Sequence, residues 1–301
     1  MTTANPRWIG GLAEWQEGET VFLSVAFTWK LDEAWGRAMF AKSMGYRVRA
    51  GGPALFLAKM KHKLVNVAEV GGEFFDAVAR HNPDATIASR GCPVGCWFCI
   101  VPAMEGKTFT LLPNFPVRPI LCDNNLSGLP SDYQDLIIEK YRKFGVKLRD
   151  ANSGFEPITF TREVYDRWKP LINEGKGPWR FAYDEMKERP QVLRVMKMLE
   201  NEPQRRKRVY VLIGNEPFAE CLHRINEVIA NGCEPHVQPF MKLNALERVP
   251  DPRYDWTVQK LKDVARWANG WVWKKAPFAD YDRHRKNAPH ERYDEQQGLF
   301  V

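Results

Sequence analysis

Three cysteines stand close together: Cys92, Cys96 and Cys99, in the run Arg-Gly-Cys-Pro-Val-Gly-Cys-Trp-Phe-Cys. Spacings of four and three residues let three thiols converge only from a tight loop. Pro93 and Gly95 supply turn chemistry between the first two. A structural zinc ion asks for four ligands, usually as two separated pairs. Here there is no second pair, and the nearest histidine, His81, lies on the far side of the preceding segment. Three thiolates instead suit a cubane iron–sulfur cluster with one iron left open. An open metal position is where a substrate or cofactor binds. A zinc knuckle or a chance grouping is the competing reading. The remaining cysteines, Cys122, Cys221 and Cys233, are scattered singly and read as small buried hydrophobes.

Cys92-x3-Cys96-x2-Cys99, with the aromatic Phe98 just before the last cysteine, resembles the signature of the radical S-adenosylmethionine (SAM) superfamily. The flanking text, ATIASRGCPVGCWFCIVP, is similar to the segment found in its cobalamin-binding and methylthiotransferase-like branches. The resemblance implies a [4Fe–4S] cluster on Cys92, Cys96 and Cys99, and SAM chelated to its open iron. Reductive cleavage of SAM would then give a 5′-deoxyadenosyl radical that takes a hydrogen from the substrate. It also implies an electron donor such as flavodoxin or ferredoxin. A nucleic acid base or nucleotide is the leading substrate class, and a small molecule or peptide the alternative. A reading from another class is a metal-bearing nucleic-acid-binding protein without catalysis.

Such a loop needs a scaffold, and the chain alternates strands and helices after it. The pattern predicts strands at Asp84–Ser89, Pro119–Cys122, Val146–Arg149, Trp179–Tyr183, Arg208–Ile213 and Glu234–Phe240. It predicts helices at Ser131–Phe144, Thr161–Asn173, Gln191–Glu200, Phe218–Ala230 and Tyr254–Asn269, with a Ser131/Gln134 capping box and a Thr161 cap. Strand-then-helix order implies a parallel sheet. The family resemblance implies an α/β fold of one kind, an open six-unit (β/α)6 partial TIM barrel over residues 81–270. Val21–Phe27, Leu31–Gly45 and Tyr46–Ala50 form a further β-α-β unit within residues 1–80, similar to a truncated Rossmann-like domain. The Asp-x-His-x-x-Gly cobalamin pattern is absent, so cobalamin is not expected. Residues 271–301 are a C-terminal extension, aromatic at Trp271 and Trp273 and then strongly charged.

In parallel (β/α) barrels ligands sit at the carboxyl ends of the strands. Asp123 and Asn124 follow the second strand, where many relatives carry a Gly-Gly-Glu motif that holds the SAM amino group. This chain lacks that motif, and an Asx turn is the alternative for Asp123-Asn124-Asn125. Asn152, Ser153 and Glu156 follow the third strand. Tyr183 and Asp184 end the fourth, where relatives place ribose and carboxylate contacts. Gly214, Asn215 and Glu216 end the fifth, and resemble the stretch that approaches adenine. Phe98 resembles the family's aromatic beside adenine.

The whole chain has 301 residues, 44 Lys and Arg against 37 Asp and Glu, and a net charge of +7. That balance permits an anionic partner without demanding one. The basic runs Lys59–Lys63, Arg205–Arg208 and Arg283–Lys286 read mainly as solvated faces. No apolar run approaches the length of a membrane span, and no signal peptide is legible at the N-terminus, so a cytoplasmic protein away from membranes is expected. The oligomeric state is not encoded in any feature of the sequence.

Overall fold

The computed structural model describes residues 8–58, 62–71, 74, 76–152 and 154–282. The basic residues 59–61, Ser153 and the run Arg283–Lys286 lie outside the described residues. The chain divides into two compact units. One holds the described residues up to Arg118 together with Lys242–Arg248. The other holds Pro119–Met241 and the described residues from Val249 onward.

The first unit opens with a hairpin that the sequence pattern did not reveal. Strand β1 (Leu12–Glu17) pairs antiparallel with β2 (Thr20–Val25). From β2 the chain runs through helix α1 (Leu31–Ser43) to β3 (Arg47–Gly51), which lies parallel to β2, as the β-α-β pattern requires. Alternation along β2 sends Val21, Leu23 and Val25 to one face, where they bury against Ala34, Ala38 and Ala41 of α1. The other face carries Trp15 stacked on Phe22 at 5.3 Å, with the Arg80 guanidinium 4.8 Å from the Trp15 ring. Short helices α2 (Pro53–Leu57) and α3 (Ala77–His81) flank β4 (Glu69–Val70), which extends the sheet beside β3.

The strand expected over Asp84–Ser89 is broken in two, β5 (Ala85–Thr86) and β6 (Ser89–Arg90). The Asp84 amide is turned onto the Asn82 side chain at 3.0 Å, so pairing starts late. Ala88 then gives its carbonyl to Leu112, and β6 pairs antiparallel with β7 (Thr110–Leu111). The single-turn helix α4 (Val101–Met104) sits between β6 and β7.

The second unit alternates regularly: β8 (Ile120–Leu121), α5 (Ser131–Phe144), β9 (Asp150–Ala151), α6 (Arg162–Gly175), β10 (Trp179–Ala182), α7 (Arg189–Met198), β11 (Lys207–Ile213), α8 (Phe218–Ala230), β12 (Glu234–Pro239) and α9 (Val258–Asn269). Strands β8 and β9 pair in parallel, and so do β10, β11 and β12. A single parallel bridge, Phe155 to Phe181, joins the segment after β9 to β10. The whole is a mixed α/β fold of small sheets, none of them closed.

Three local expectations in this unit are corrected. Val146–Arg149 is not a strand. The Arg149 and Asp150 amides both turn onto the Pro119 carbonyl, and pairing begins only at Asp150. Ser131 and Gln134 form no capping box, because Pro130 occupies the cap position. Gln134 is buried instead, donating to the Leu129 carbonyl at 2.7 Å and accepting from the Trp168 indole at 2.8 Å. The last helix starts at Val258 rather than Tyr254, which adopts a left-handed φ of 53°. Its cap is Thr257, whose hydroxyl accepts from the Lys260 amide. The Thr161 cap does form, on the Val164 amide at 3.3 Å.

Alternation then sorts the faces of β11 and β12. Val209, Val211, Ile213 and Val237 are buried with Ile225 and Val228 of α8 and Leu261 and Val264 of α9. The opposite face carries Arg208, Tyr210, His236 and Gln238, all half-buried. Among the described residues, no helix is long and apolar enough to cross a membrane.

Candidate functional site

The three clustered cysteines lie in the loop of the β6–β7 hairpin. That hairpin fixes both ends of the loop, with Ser89 opposite Leu111 and Arg90 opposite Thr110. Inside it the Cys99 amide donates to the Cys96 carbonyl at 3.1 Å, so these two residues share one tight turn. The Cys99 sulfur accepts from the Val101 amide at 3.4 Å. Ile100 and Val101 are buried and anchor the exit of the loop. Cys92, Cys96 and Cys99 are each half-buried and form no disulfide. Phe98 packs edge-on against Trp97 at 5.4 Å, and Trp97 is half-exposed.

The entry of the loop is held more firmly. Glu105 accepts from the Arg90 guanidinium at 2.8 Å and from the Gly91 amide at 2.9 Å. The Cys92 amide donates to the Gly106 carbonyl at 3.2 Å. Gly91 has φ +82°, and a Cβ there would stand 2.1 Å from the Thr108 carbonyl oxygen, so only glycine fits.

In kind, these donors suit an iron–sulfur cluster: three thiols on one short, partly solvent-reachable loop. They are not gathered as they would be around one ion. A single zinc ion, with Zn–S near 2.3 Å, would draw tetrahedral sulfurs to roughly 3.8 Å of one another. Among the described residues, no three His, Cys, Asp or Glu side chains are arranged to hold a metal ion. A cubane cluster is larger than an ion and keeps its cysteine sulfurs further apart. His81 offers no fourth ligand, since it is buried, its Nε2 lies 2.9 Å from the Ser24 hydroxyl, and burial pushes it down to about 4.

Two of the isolated cysteines are small core residues, whereas Cys122 is half-buried. Cys221 and Cys233 are fully buried. Burial pushes the Cys233 thiol up to about 11 and raises that of Cys221. Cys122 is raised too, by burial and then by the Asp123 and Asp150 carboxylates.

In the second unit, the other residues singled out from the sequence fall into two groups. Asp123 is fully buried, and Asn124 beside it is half-buried. Asn125 makes the Asx turn, its side-chain oxygen accepting from Ser127 and from the Gly128 amide. Asn152 is buried, with its amide group 3.8 Å from the Cys122 sulfur. The second group is knit together around the carboxyl ends of β10 and β11. Asp184 accepts from the Leu212 amide at 3.2 Å, and Asn215 donates to the Asp184 carbonyl at 2.7 Å. Glu216 accepts from the Met186 amide at 3.0 Å. Tyr183, by contrast, turns its ring into the core under the helices, with its hydroxyl donating to Glu227 at 3.0 Å. Gly214 has φ +90°, and a Cβ there would approach Leu261 to 3.0 Å.

The residue that joins this group was not visible in the sequence. Arg224 of α8 is fully buried, donates to the Tyr183 and Leu212 carbonyls, and lies 3.0 Å from the Glu216 carboxylate. Glu188 was also missed. Its carboxylate accepts from the Asp184 and Glu185 amides at 2.7 and 3.2 Å. Burial, and then the nearby Glu188 carboxylate, pushes Asp184 up to about 8. The same forces raise Glu156. A buried polar layer runs lower on the sheet. Arg180 holds Asp150 through two bonds of 2.6 and 2.5 Å and donates to the Tyr210 hydroxyl, and the His236 ring lies 4.9 Å from Tyr210. Burial and the Arg208 and Arg180 cations push His236 down to about 3. An arginine inside an apolar strand, as in Trp-Arg-Phe-Ala, was the one signal that could have found this layer.

In comparison with known proteins, the chain matches no family model. No curated protein matches it in sequence.

Proposed function

We propose that this chain is a radical SAM enzyme that holds a [4Fe–4S] cluster on Cys92, Cys96 and Cys99. The observation that carries the reading is the trio of thiols on one hairpin loop, with its entry fixed by Glu105, Gly106 and Thr108. When bound, such a cluster supplies the electron that cleaves SAM to a 5′-deoxyadenosyl radical able to take a hydrogen from the substrate. The family resemblance assigns SAM contacts to Phe98, Asp123, Asn124, Asn152, Tyr183, Asp184, Gly214, Asn215 and Glu216. Their surroundings grade that assignment. Burial and the Glu188 carboxylate raise Asp184 to about 8, and with one oxygen on the Leu212 amide its protonated form would offer a donor to a hydroxyl or carboxylate. Asn215 and Glu216 are held by main-chain partners and position the loops around them. Tyr183 serves the core.

The parallel strands β8 to β12, taken in chain order with their intervening helices, support an open (β/α) barrel as the larger architecture. The net charge of +7 supports a polyanionic substrate, with a nucleic acid base or nucleotide as the reacting group. A small flavoprotein or ferredoxin is the expected reductant.

The test is anaerobic. The protein is reconstituted with iron and sulfide, given SAM and dithionite, with and without RNA, DNA and nucleotides, and 5′-deoxyadenosine is measured by mass spectrometry. The reading expects product that vanishes in Cys92→Ala, Cys96→Ala and Cys99→Ala. Product from all three variants at the wild-type level would overturn it.

A further inference from the structure

A loop that must present three thiols needs its mouth held as well as its ligands placed. The mouth here is built from two short strands that pair at Ser89 with Leu111 and Arg90 with Thr110, with the Leu112 amide donating to the Ala88 carbonyl just outside them. Two pairs are a weak ladder for so long a loop, because closing it costs chain entropy that only contacts at its base offset. The base has one such contact of unusual quality. Glu105 is only 11% exposed and spends both carboxylate oxygens on the same turn of chain, one on the Arg90 guanidinium and one on the Gly91 amide. Both bonds are charge-assisted and short. The next amide, that of Cys92, is taken by the Gly106 carbonyl, directly after Glu105. The Thr108 carbonyl packs where a side chain of residue 91 would be. Residues 90–92 are therefore clamped to residues 105–108, and Cys92 is the last residue the clamp holds before the loop. Cys96 and Cys99 share their own turn.

We propose that Glu105 is the positioning residue for Cys92: its carboxylate fixes the main chain at Gly91 and so sets where the Cys92 thiol is presented. This rests on the reading of the loop as a cluster site only for its consequence, which is that cluster uptake through Cys92 depends on Glu105. The clamp itself is made of the chain's own side-chain and main-chain groups. Arg90 is its second half. It donates to the Glu105 carboxylate at 2.8 Å and aims it, and with 35% of its side chain exposed it closes the outer side of the clamp. Glu105 touches no reacting atom in this role.

The experiment uses the full chain and three variants, Glu105→Ala, Glu105→Gln and Arg90→Lys. Hydrogen exchange at the Gly91 and Cys92 amides is read first, in the metal-free protein. Loss of a charge-assisted bond is expected to speed exchange there about tenfold or more in Glu105→Ala. Glu105→Gln keeps one acceptor oxygen and is expected to restore part of the protection. Exchange in α1 and in α8 is expected to stay at the wild-type rate, which separates a local clamp from general unfolding. Iron per chain and the electron paramagnetic resonance spectrum of the reduced protein are read next. Glu105→Ala is expected to resemble Cys92→Ala, with low iron and an altered spectrum, while Glu105→Gln recovers in step with its protection. Unchanged exchange at residues 91 and 92 in Glu105→Ala would overturn the clamp. Raised exchange with wild-type iron and spectrum would overturn its role in presenting Cys92. A wild-type chain that takes up no iron at all would overturn the proposed function instead, and the exchange result would still decide the clamp.

Discussion

Replacing Arg224 by methionine tests how the carboxyl ends of β10 and β11 are held. The guanidinium is fully buried and reaches three groups at once: the Tyr183 carbonyl, the Leu212 carbonyl at 2.9 Å and the Glu216 carboxylate at 3.0 Å. Methionine fills similar space and offers none of these donors. Two carbonyls lose charge-assisted bonds, each worth about 1.5–3 kcal/mol. Glu216, whose side chain is 17% exposed, is left as a carboxylate without its cation. Removing one partner of a buried ion pair costs about 3–5 kcal/mol, and the bonds counted here belong to that same total. At roughly 2–4 °C per kcal/mol for a unit of this size, the thermal midpoint should fall by about 6–20 °C. Differential scanning calorimetry at pH 7 reads it. Arg205→Ala is the control: Arg205 is exposed, and its loss should stay within about 0.5 kcal/mol. An Arg224→Met midpoint no lower than that of Arg205→Ala would refute the reasoning. Arg224→Lys should fall between the two, because it keeps the charge without the planar fork.

Other outcomes follow from single groups. Asp184 holds its proton to about pH 8 when folded, against 3.8 for an ordinary aspartate, so the folded state binds the extra proton between those values. Stability from this group is complete below pH 3.8 and declines as the pH rises through 8. Asp184→Asn should flatten that decline in denaturation measured across the range, and an unchanged slope would contradict it. His236 runs the other way. It stays neutral down to about 3 when folded but protonates near 6.5 when unfolded, so stability is lost as the pH falls through that window. His236→Gln should resist acid better than the wild type over the same interval. Gly91→Ala places a methyl group against the Thr108 carbonyl at a left-handed φ. It should cost about 1–3 kcal/mol and raise amide exchange at Cys92, while Gly10→Ala, in open space, should do neither.

How much of this was legible beforehand depended on the kind of signal. Long amphipathic helices were visible, because 3.6-residue periodicity persists over three or four turns, and of the expected caps the one at Thr161 formed while that at Ser131 did not. The strand expected at Val21–Phe27, whose core face alternates, was visible too, although β2 runs from Thr20 and ends at Val25. Two-residue strands carry no periodicity: β8 and β5 lie within the expected Pro119–Cys122 and Asp84–Ser89 runs, but their limits, and the places of β6 and β9, were set only by pairing. Val146–Arg149 looked like a strand because Val146 and Leu148 alternate, yet main-chain bonds to Pro119 decided the register. Hairpin strand β1 was hidden because polar residues fall on both of its faces, Glu14 and Gln16 on one and Glu17 beside Ala13 and Trp15 on the other. The cysteine trio was plain from spacing alone. Glu105 was not, since a lone glutamate six residues after Cys99 has no pattern, and its role appears only when the loop closes. Arg224 and Glu188 were hidden for the same reason: each acts on main-chain groups of other segments, and the sequence records no such pairing.

The central claim is that Cys92, Cys96 and Cys99 together hold one iron–sulfur cluster. Its most direct test is the iron and sulfide content of the anaerobically reconstituted chain, with the electron paramagnetic resonance spectrum after reduction, for the wild type and each single Cys→Ala variant. The account expects about four irons per wild-type chain, a reduced-cluster signal that changes on adding SAM, and loss of both in all three variants. It expects Cys122→Ala, Cys221→Ala and Cys233→Ala to match the wild type. A cluster that survives in Cys92→Ala, Cys96→Ala and Cys99→Ala alike, or a wild-type chain that binds zinc and no iron, would contradict it.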